Sequence, residues 1–221
     1  MSLTKKAYES FKHSLHDGQI EGGKTYSQNE ICVLLGQSIS PVREALKLLE
    51  HEGFVDVHPR AGIEVLKPDL EMFRECYQFR RLIEMAAIDH YVDRVSDDEL
   101  ALLRHRQVEL RKRIVSKLPM EDLQPTHWRV EEWLHTGIVG ALNNKMIMQA
   151  YRICWEKQNL VRIDQGTFTT SQLVSAADQH LAIIDAAIAR DVPAARAALD
   201  EHLKESLSLG MGAVALSDGF I

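Results

Sequence analysis

The sequence predicts a mainly α-helical chain with an N-terminal winged helix-turn-helix that carries a small β-hairpin wing, followed by an all-α helical bundle. Residues 27–65 hold two short helical segments and then two strand-forming segments around a turn. Beyond residue 68 the apolar residues recur at helical spacing, with almost no strand signal. A chain of 221 residues is long enough for two cores. We therefore expect domains at 1–67 and 73–221, joined by a linker at 68–72.

Two helices are predicted before residue 37. A stripe of apolar residues at fourfold spacing predicts the first helix over residues 4–16. Ser27, followed three residues later by Glu30, forms a capping box, in which each residue satisfies a free backbone N–H at the start of a helix. The second helix is therefore expected to begin after Ser27 and to end at Gly36.

A third helix is predicted to start at Ser40 and Pro41. Serine is a good cap, and a proline in the first helical position lacks only an N–H that would have no partner there. The apolar residues of this helix share one face; they are Val42, Ala45, Leu46 and Leu49. Arg43 and Lys47 then lie on the opposite face and can meet a partner, which makes this the candidate recognition helix.

The segments 54–57 and 63–65 are rich in strand formers, and HPRAG between them is typical of a turn. They would form the wing. The first 67 residues carry eight bases and nine acids, and the whole chain has a formal charge of −6, which disfavours a protein that coats nucleic acid non-specifically. Contact with DNA must then come from a local set of residues. The candidates are Lys24, Ser38, Ser40, Arg43, Lys47, Arg60 and Gly62.

The string PVREAL, followed by a short helix, EGFV and a glycine-bearing hairpin, resembles the GntR family of bacterial transcription regulators. The resemblance covers most of residues 10–66. It implies binding to double-stranded operator DNA. Because helix-turn-helix proteins of this kind read two half-sites, we also expect a two-fold homodimer. Ile39 stands where the family usually has an arginine, which implies an operator different from the common one.

Six or seven helices are predicted between residues 69 and 209. The breaks between them are expected at 95–97, 117–119, 142–144, 166–170 and 190–191. The tail after Leu209 has two early glycines and no apolar stripe, so we expect it to be frayed or packed on a neighbour.

Three cysteines lie far apart in apolar segments, which favours ordinary core thiols in a reducing compartment. The sequence has no signal peptide and no apolar run long enough to cross a bilayer. These features predict a cytoplasmic protein with no membrane partner.

Four residues form a candidate metal site. Glu131 and His135 are one helical turn apart, so they share a face. His180 lies 11 residues before Asp191, and His202 lies 11 residues after it. If the break at Asp191 joins two antiparallel helices, both histidines lie about 16 Å from the turn. Three imidazoles and a carboxylate suit a divalent transition metal. Ligand type favours zinc, followed by nickel, iron or manganese. The alternative for each histidine taken alone is a core histidine with one hydrogen bond.

The helical region also resembles the effector-binding FCD domain of the FadR-type branch of GntR regulators. EEWLH, DQHL and DEHL occupy the places of an Asp-x-x-x-His pair and two later histidines that commonly hold a metal in that branch. Glu131 stands where an aspartate is usual. The resemblance further implies effector contacts by Arg80 and Asn144. Alternatively, Arg80 forms a structural ion pair with Glu84, and Asn144 caps or turns the chain.

We therefore expect a transcriptional regulator, and more specifically a repressor, that responds to a small organic acid bound at the metal. A metal-dependent hydrolase is the second hypothesis, because three protein nitrogens and an open position can activate water. The absence of a general-base motif such as HExxH argues against it. In a third hypothesis, the metal is purely structural and the regulator ignores small acids.

Overall fold

The computed structural model of the protein describes residues 2–116, 120–160 and 169–217. By their internal contacts the residues form two compact units, one of Met1–Asp69 with Glu156–Leu160 and one of Leu70–Trp155 with Val161–Ile221. Within the described ranges, no helix has the length and apolar character needed to cross a membrane.

The first unit begins with three helices, α1 (Leu3–His16), α2 (Gln28–Leu35) and α3 (Ile39–His51). The local signals for α2 are confirmed. Both hydrogen bonds of the Ser27 capping box are present, and Gly36 ends the helix in the left-handed conformation at φ 59°. Such a conformation strains any residue with a Cβ, so a glycine at this position favours a clean helix end.

The predicted start of α3 is wrong by two residues. Ser38, with extended backbone, is the N-cap, and its carbonyl accepts the first intrahelical hydrogen bond from the Val42 N–H at 3.4 Å. Ser40 and Pro41 therefore lie inside the first turn. Proline is tolerated there because the first N–H groups of a helix have no intrahelical partner.

A small antiparallel sheet completes the winged helix-turn-helix. It consists of β1 (Thr25–Tyr26), β2 (Val55–His58) and β3 (Gly62–Val65) in the order β1-β3-β2. The hairpin of β2 and β3 confirms the predicted wing, but β1 was not predicted from its two residues. Gly62, at φ 125°, permits this third strand, because a Cβ there would lie 2.7 Å from Cγ2 of Thr25.

The predicted apolar face of α3 is confirmed as part of the core of this unit. Val42, Ala45, Leu46 and Leu49 are all buried. They join α1 and the sheet in a core whose largest side chains are Phe11 and Phe54. Packing this face inward leaves Arg43 and Lys47 exposed on the opposite side of α3.

The second unit is helical. Its helices in the described ranges are α4 (Leu70–Arg94), α5 (Asp97–Val115), α6 (Met120–Gly140), α7 (Lys145–Gln158, whose last three residues belong to the first unit), α8 (Thr170–Ile188) and α9 (Val192–Ser217). The breaks predicted at 95–97, 142–144 and 190–191 are confirmed. Those at 117–119 and 166–168 lie outside the described residues. Because α4 begins at Leu70, the last three residues of the expected 68–72 linker are helical.

The expectation of a frayed tail after Leu209 is wrong for the described residues, since α9 continues through Gly210 to Ser217. Gly210 lies against the ring of Phe73 on α4. A Cβ at position 210 would meet Cζ of that ring at 2.0 Å. The glycine therefore provides close helix packing rather than a helix stop.

Helices α8 and α9 form the antiparallel hairpin that positions two of the candidate ligands. Oδ1 of Asp191 accepts a hydrogen bond from the Ala194 N–H at 3.0 Å and caps α9. Helix α8 packs on α5 and α9, and α9 packs on α4. Ile183, Ile184, Ala195 and Leu199 bury the apolar sides of the hairpin, which fixes its register.

Candidate metal centre and nucleic-acid interface

Most of the side chains predicted to contact DNA lie on the exposed surface of the first unit. Arg43 and Lys47 project from the outer face of α3. Nζ of Lys47 lies 2.8 Å from Oε1 of Glu44, and Nζ of Lys24 lies 2.6 Å from Oε1 of Glu21. Exposed pairs of this kind contribute about 0–1 kcal/mol, so either lysine can exchange its carboxylate for a phosphate at little cost.

The remaining predicted DNA contacts frame α3 and the wing. Ser38 and Ser40 are exposed at the N-terminal end of α3. Arg60 occupies the tip of the wing at φ 70°, also exposed. Gly62, in contrast, is half-buried beneath β1, so the structure gives it a part in shaping the wing.

The four candidate ligands converge in the second unit. Helix α6 carries Glu131 and His135, α8 carries His180 and α9 carries His202. One nitrogen or oxygen atom from each lies within 4.8 Å of the corresponding atoms of the others. The equal height expected for the two histidines of the hairpin is confirmed, because their Nε2 atoms are 3.1 Å apart.

The side chain of Glu131 is longer than that of the aspartate usual at this position, and its carboxylate still lies in the cluster. Its Oε1 lies 3.4 Å from Nε2 of His180, and its Oε2 lies 3.7 Å from Nε2 of His135. A third imidazole, that of His127 one turn earlier on α6, lies 3.7 Å from Oε1. The carboxylate therefore lies among three rings, with its two oxygens turned toward different histidines.

The donor set fits a transition metal. Nε2 of His135 is buried and has no hydrogen-bond partner among the described residues, although a buried nitrogen normally has one. Burial lowers the pKa of His180 to about 4, although Glu131 opposes the shift. Burial and the neighbouring His180 lower the pKa of His202 well below its ordinary value. Both rings are therefore neutral near pH 7, the form of imidazole that binds metals.

A buried carboxylate supports the cluster from α4. Oε2 of Glu84 lies 2.6 Å from Nδ1 of His135, and Oε1 accepts hydrogen bonds from Nε of Arg80 and the hydroxyl of Tyr151, both at 2.7 Å. Burial raises the pKa of Glu84, but Arg80 and His135 outweigh it and bring the pKa to about 2. Glu84 is therefore a carboxylate with each oxygen in use.

The guanidinium of Arg80 has one nitrogen that is hydrogen-bonded to a carboxylate and another that has no partner among the described residues. The structural ion pair with Glu84 forms through Nε, while Nη2 is buried without a hydrogen-bond partner in the described part of the chain. The guanidinium Cζ lies 5.0 Å from the ring centroid of Tyr77 and 4.8 Å from that of Trp155. Two aromatic faces therefore hold the guanidinium plane in place.

A second set of hydrogen bonds supports His202. Its Nδ1 lies 3.1 Å from Oε1 of Gln179, whose amide nitrogen donates to Oε2 of Glu205. The hydroxyl of Ser175 donates to the other oxygen of Glu205 at 3.1 Å. The sequence did not indicate a role for Gln179, Tyr151 or Trp155. Only the spacing of Tyr151 and Trp155, one turn apart on α7, could have indicated an inward aromatic pair.

Asn144 caps a helix, and its predicted contact with the effector stays a prediction. Oδ1 of Asn144 accepts hydrogen bonds from the backbone N–H of Met146 at 3.0 Å and of Ile147 at 3.2 Å. The side chain is thus the N-terminal cap of α7, and the residue is exposed. The alternative, that Asn144 caps the chain, is the one that the geometry supports.

Comparison with known families decides the identity of the chain. The family of bacterial regulatory proteins named gntR matches residues 3–65, and the FCD domain matches residues 75–205. The chain belongs to the GntR family and carries an FCD domain. The predicted family and fold class are thereby confirmed, and this GntR protein is a transcriptional regulator.

Relatives of this GntR regulator share modest identity. The uncharacterized HTH-type transcriptional regulator YdhC of Bacillus subtilis is 27% identical over 107 residues, or 48% of each chain. The Uxu operon transcriptional regulator of Escherichia coli is 25% identical over 205 residues, which cover 83% of this chain and 76% of the relative. The solved structure of E. coli McbR/YncC has a TM-score of 0.77 at 21% identity, covers 95% of this chain and 97% of its own, and shows the shared fold.

Proposed function

We propose that this GntR regulator binds operator DNA as a homodimer and that a small carboxylate effector, bound at the metal centre of the second unit, changes that binding. Residues 1–67 would read DNA, and residues 73–221 would bind the effector and dimerise. The observation that carries the proposal is the convergence of three imidazoles and a carboxylate beside the buried guanidinium of Arg80. Nη2 of that guanidinium has no hydrogen-bond partner among the described residues.

In this proposal α3 enters the major groove. Arg43, exposed on the outer face of α3, contacts base edges or phosphates, and Lys47 contacts the DNA backbone. The exposed Ser38 and Ser40 lie at the helix N-terminus, where N–H groups and hydroxyls favour a phosphate. Lys24 and the wing-tip Arg60 add charge beside the groove. A two-fold dimer would present two such helices to two half-sites.

Glu131, His135, His180 and His202 would hold a divalent transition metal, and the nitrogen-rich donor set favours zinc over nickel, iron or manganese. When bound, the metal supplies a Lewis-acidic positive charge that attracts a carboxylate. Arg80 supplies a second anchor, because its Nη2 can donate to the carboxylate while Nε stays on Glu84. Tyr77 and Trp155 keep that donor in a fixed plane.

The effector would act by binding one conformation of the dimer more tightly than the other, and so would shift the population of the DNA-binding form. We propose a repressor, in which a dimer on its operator blocks transcription and the bound acid changes its affinity for DNA. The relatives are transcriptional regulators, which supports this function over hydrolysis.

The test is a gel-shift titration with a duplex selected from a random DNA pool by the wild-type protein. We expect Arg43→Ala to weaken the shift, whereas Arg74→Ala, which removes an exposed arginine of α4, leaves it unchanged. Selection of no duplex at low salt, or an equal shift with Arg43→Ala, would contradict the proposal.

Two further outcomes would favour the other hypotheses. Turnover of a panel of esters or amides by the wild-type protein, lost in His180→Ala, would favour a metal-dependent hydrolase. Chelation that lowers the melting temperature, together with DNA binding that ignores every small acid, would favour a purely structural metal.

A further inference from the structure

We infer that two hydrogen-bonded relays outside the metal cluster fix the tautomers of His135 and His202, so that Nε2 of each ring carries the lone pair. The first relay is Glu84 with Tyr151, and the second is Gln179 with Glu205. Glu84, Tyr151, Gln179 and Glu205 are therefore positioning residues. The inference rests on the proposed metal site, although its test can be read in the metal-free protein.

The first relay follows from one short contact. Nδ1 of His135 lies 2.6 Å from Oε2 of Glu84, and both side chains are fully buried. A carboxylate oxygen only accepts hydrogen bonds, so a lone pair on Nδ1 would face another lone pair at that distance. Nδ1 must carry the proton. In the neutral ring Nε2 then has the lone pair, which agrees with its burial without a hydrogen-bond partner in the described residues.

Arg80 and Tyr151 keep Glu84 in this role. Both donate to Oε1, which leaves Oε2 for His135. Three hydrogen bonds from three helices, α4, α6 and α7, also fix the carboxylate itself. The orientation of the His135 ring is therefore set before a metal arrives.

The second relay follows from the chemistry of an amide. Both oxygens of Glu205 only accept, so Gln179 must turn its NH₂ group toward Glu205. Oε1 of Gln179 then faces Nδ1 of His202 at 3.1 Å and can only accept as well. Nδ1 of His202 must carry the proton, and its Nε2 again has the lone pair.

His180 is the exception among the three rings. Its Nε2 lies 3.1 Å from Nε2 of His202, which accepts, so His180 donates from Nε2 in the metal-free chain. For a metal to bind both nitrogens, His180 must carry its proton on Nδ1 instead of Nε2, with no net gain or loss of protons. Metal uptake is thus expected to change the tautomer of one histidine and to leave the other two unchanged.

The experiment is long-range ¹H–¹⁵N NMR of the 221-residue protein labelled at histidine, first after chelator treatment and then with zinc. Single His→Gln variants assign the signals. We expect the Nδ1–H tautomer for His135 and His202 in both states, and a change from Nε2–H to Nδ1–H for His180. An Nε2–H or doubly protonated ring at His135 or His202 in the metal-free protein would overturn the inference.

Zinc affinity, measured by competition with a chelating dye, provides the second readout. Glu84→Gln and Gln179→Ala should each weaken zinc binding roughly 10- to 100-fold, the usual effect of losing such a partner. Tyr151→Phe should keep the His135 tautomer with a smaller loss, because Glu84 remains. Glu71→Gln, at an exposed position of α4, is the matched control and should bind zinc normally.

The metal site and the two relays can be refuted separately. A wild-type protein that binds no zinc would refute the proposed metal site, whatever the tautomers are. A protein that binds zinc as tightly with Gln179→Ala and Tyr151→Phe as without them would refute the relays and leave the metal site standing. If Glu84→Gln does not fold, Gln179→Ala and the tautomer of wild-type His135 still decide the outcome.

Discussion

Arg43 and Arg80 show how differently the two units of this regulator use the same side chain. Arg43 is exposed on α3, and the helix packs without it. Arg80 is 2% exposed, bound to Glu84 and enclosed by two aromatic rings. The surface arginine can therefore contact a partner without contributing to the stability of the fold. The buried arginine contributes to stability and is also proposed to bind the effector. Substitutions of the two arginines should therefore differ in their effect on stability.

The largest effect on stability is expected from Arg80→Ala. It leaves the carboxylate of Glu84 buried and without its cation, which costs about 3–5 kcal/mol for a pair of this kind. Urea unfolding of the metal-free protein measures the loss. The control Arg74→Ala should change the free energy of unfolding by no more than about 0.5 kcal/mol. A loss below about 1 kcal/mol for Arg80→Ala would mean that the buried network is not needed for the fold.

Acid should destabilise the metal-free protein through its buried histidines. The pKa of His180 falls from 6.5 to about 4 on folding, so the unfolded chain takes up the proton more readily. The free energy of unfolding should therefore decrease as the pH falls from about 6.5 to 4, by about 3 kcal/mol from this residue alone. Unfolding curves across that range, for wild type and His180→Gln, test the slope. An equal slope in both proteins would contradict the burial argument.

Metal should stabilise the second unit and have no such effect on a variant that lacks ligands. Zinc at about 100 times its dissociation constant is expected to add about 2.7 kcal/mol to the free energy of unfolding. Thermal or urea unfolding with and without zinc measures it, with His180→Ala/His202→Ala as the comparison. Equal stabilisation of both proteins would place the metal elsewhere.

Arg43→Ala should have the smallest effect on stability and a clear effect on DNA binding. We expect a change within about 0.5 kcal/mol in unfolding, because the side chain is exposed. Affinity for the selected duplex should fall by about 1–3 kcal/mol, or roughly 5- to 150-fold. Fluorescence anisotropy measures the affinity. An Arg43→Ala protein that loses stability but keeps its DNA affinity would contradict this, because Arg43 would then stabilise the fold rather than bind DNA.

The parts of the structure that sequence could predict are those set by local rules. The Ser27 capping box and the buried face of α3 depend on residues within one or two turns. The meeting of His180 and His202 depends on a constant helical rise and one turn at Asp191. These rules act within a short stretch of chain, so the sequence alone specifies them.

The parts that sequence could not predict depend on which distant elements meet. Tyr151 binds Glu84 only because α7 packs beside α4, and no spacing in the sequence indicates that contact. The glycines after Leu209 favoured a frayed tail, but Gly210 makes room for Phe73 from another helix. Likewise, β1 consists of two residues that become a strand only beside β3.

Control of DNA binding by an acid at the metal centre can be measured as the effect of carboxylates on DNA binding by zinc-loaded protein. The selected duplex would be titrated in fluorescence anisotropy with and without acetate, succinate and citrate, which represent mono-, di- and tricarboxylates. At least one acid should change the affinity of the wild-type protein for DNA and have no effect on His180→Ala/His202→Ala. An unchanged affinity with every acid, or the same change in both proteins, would contradict it.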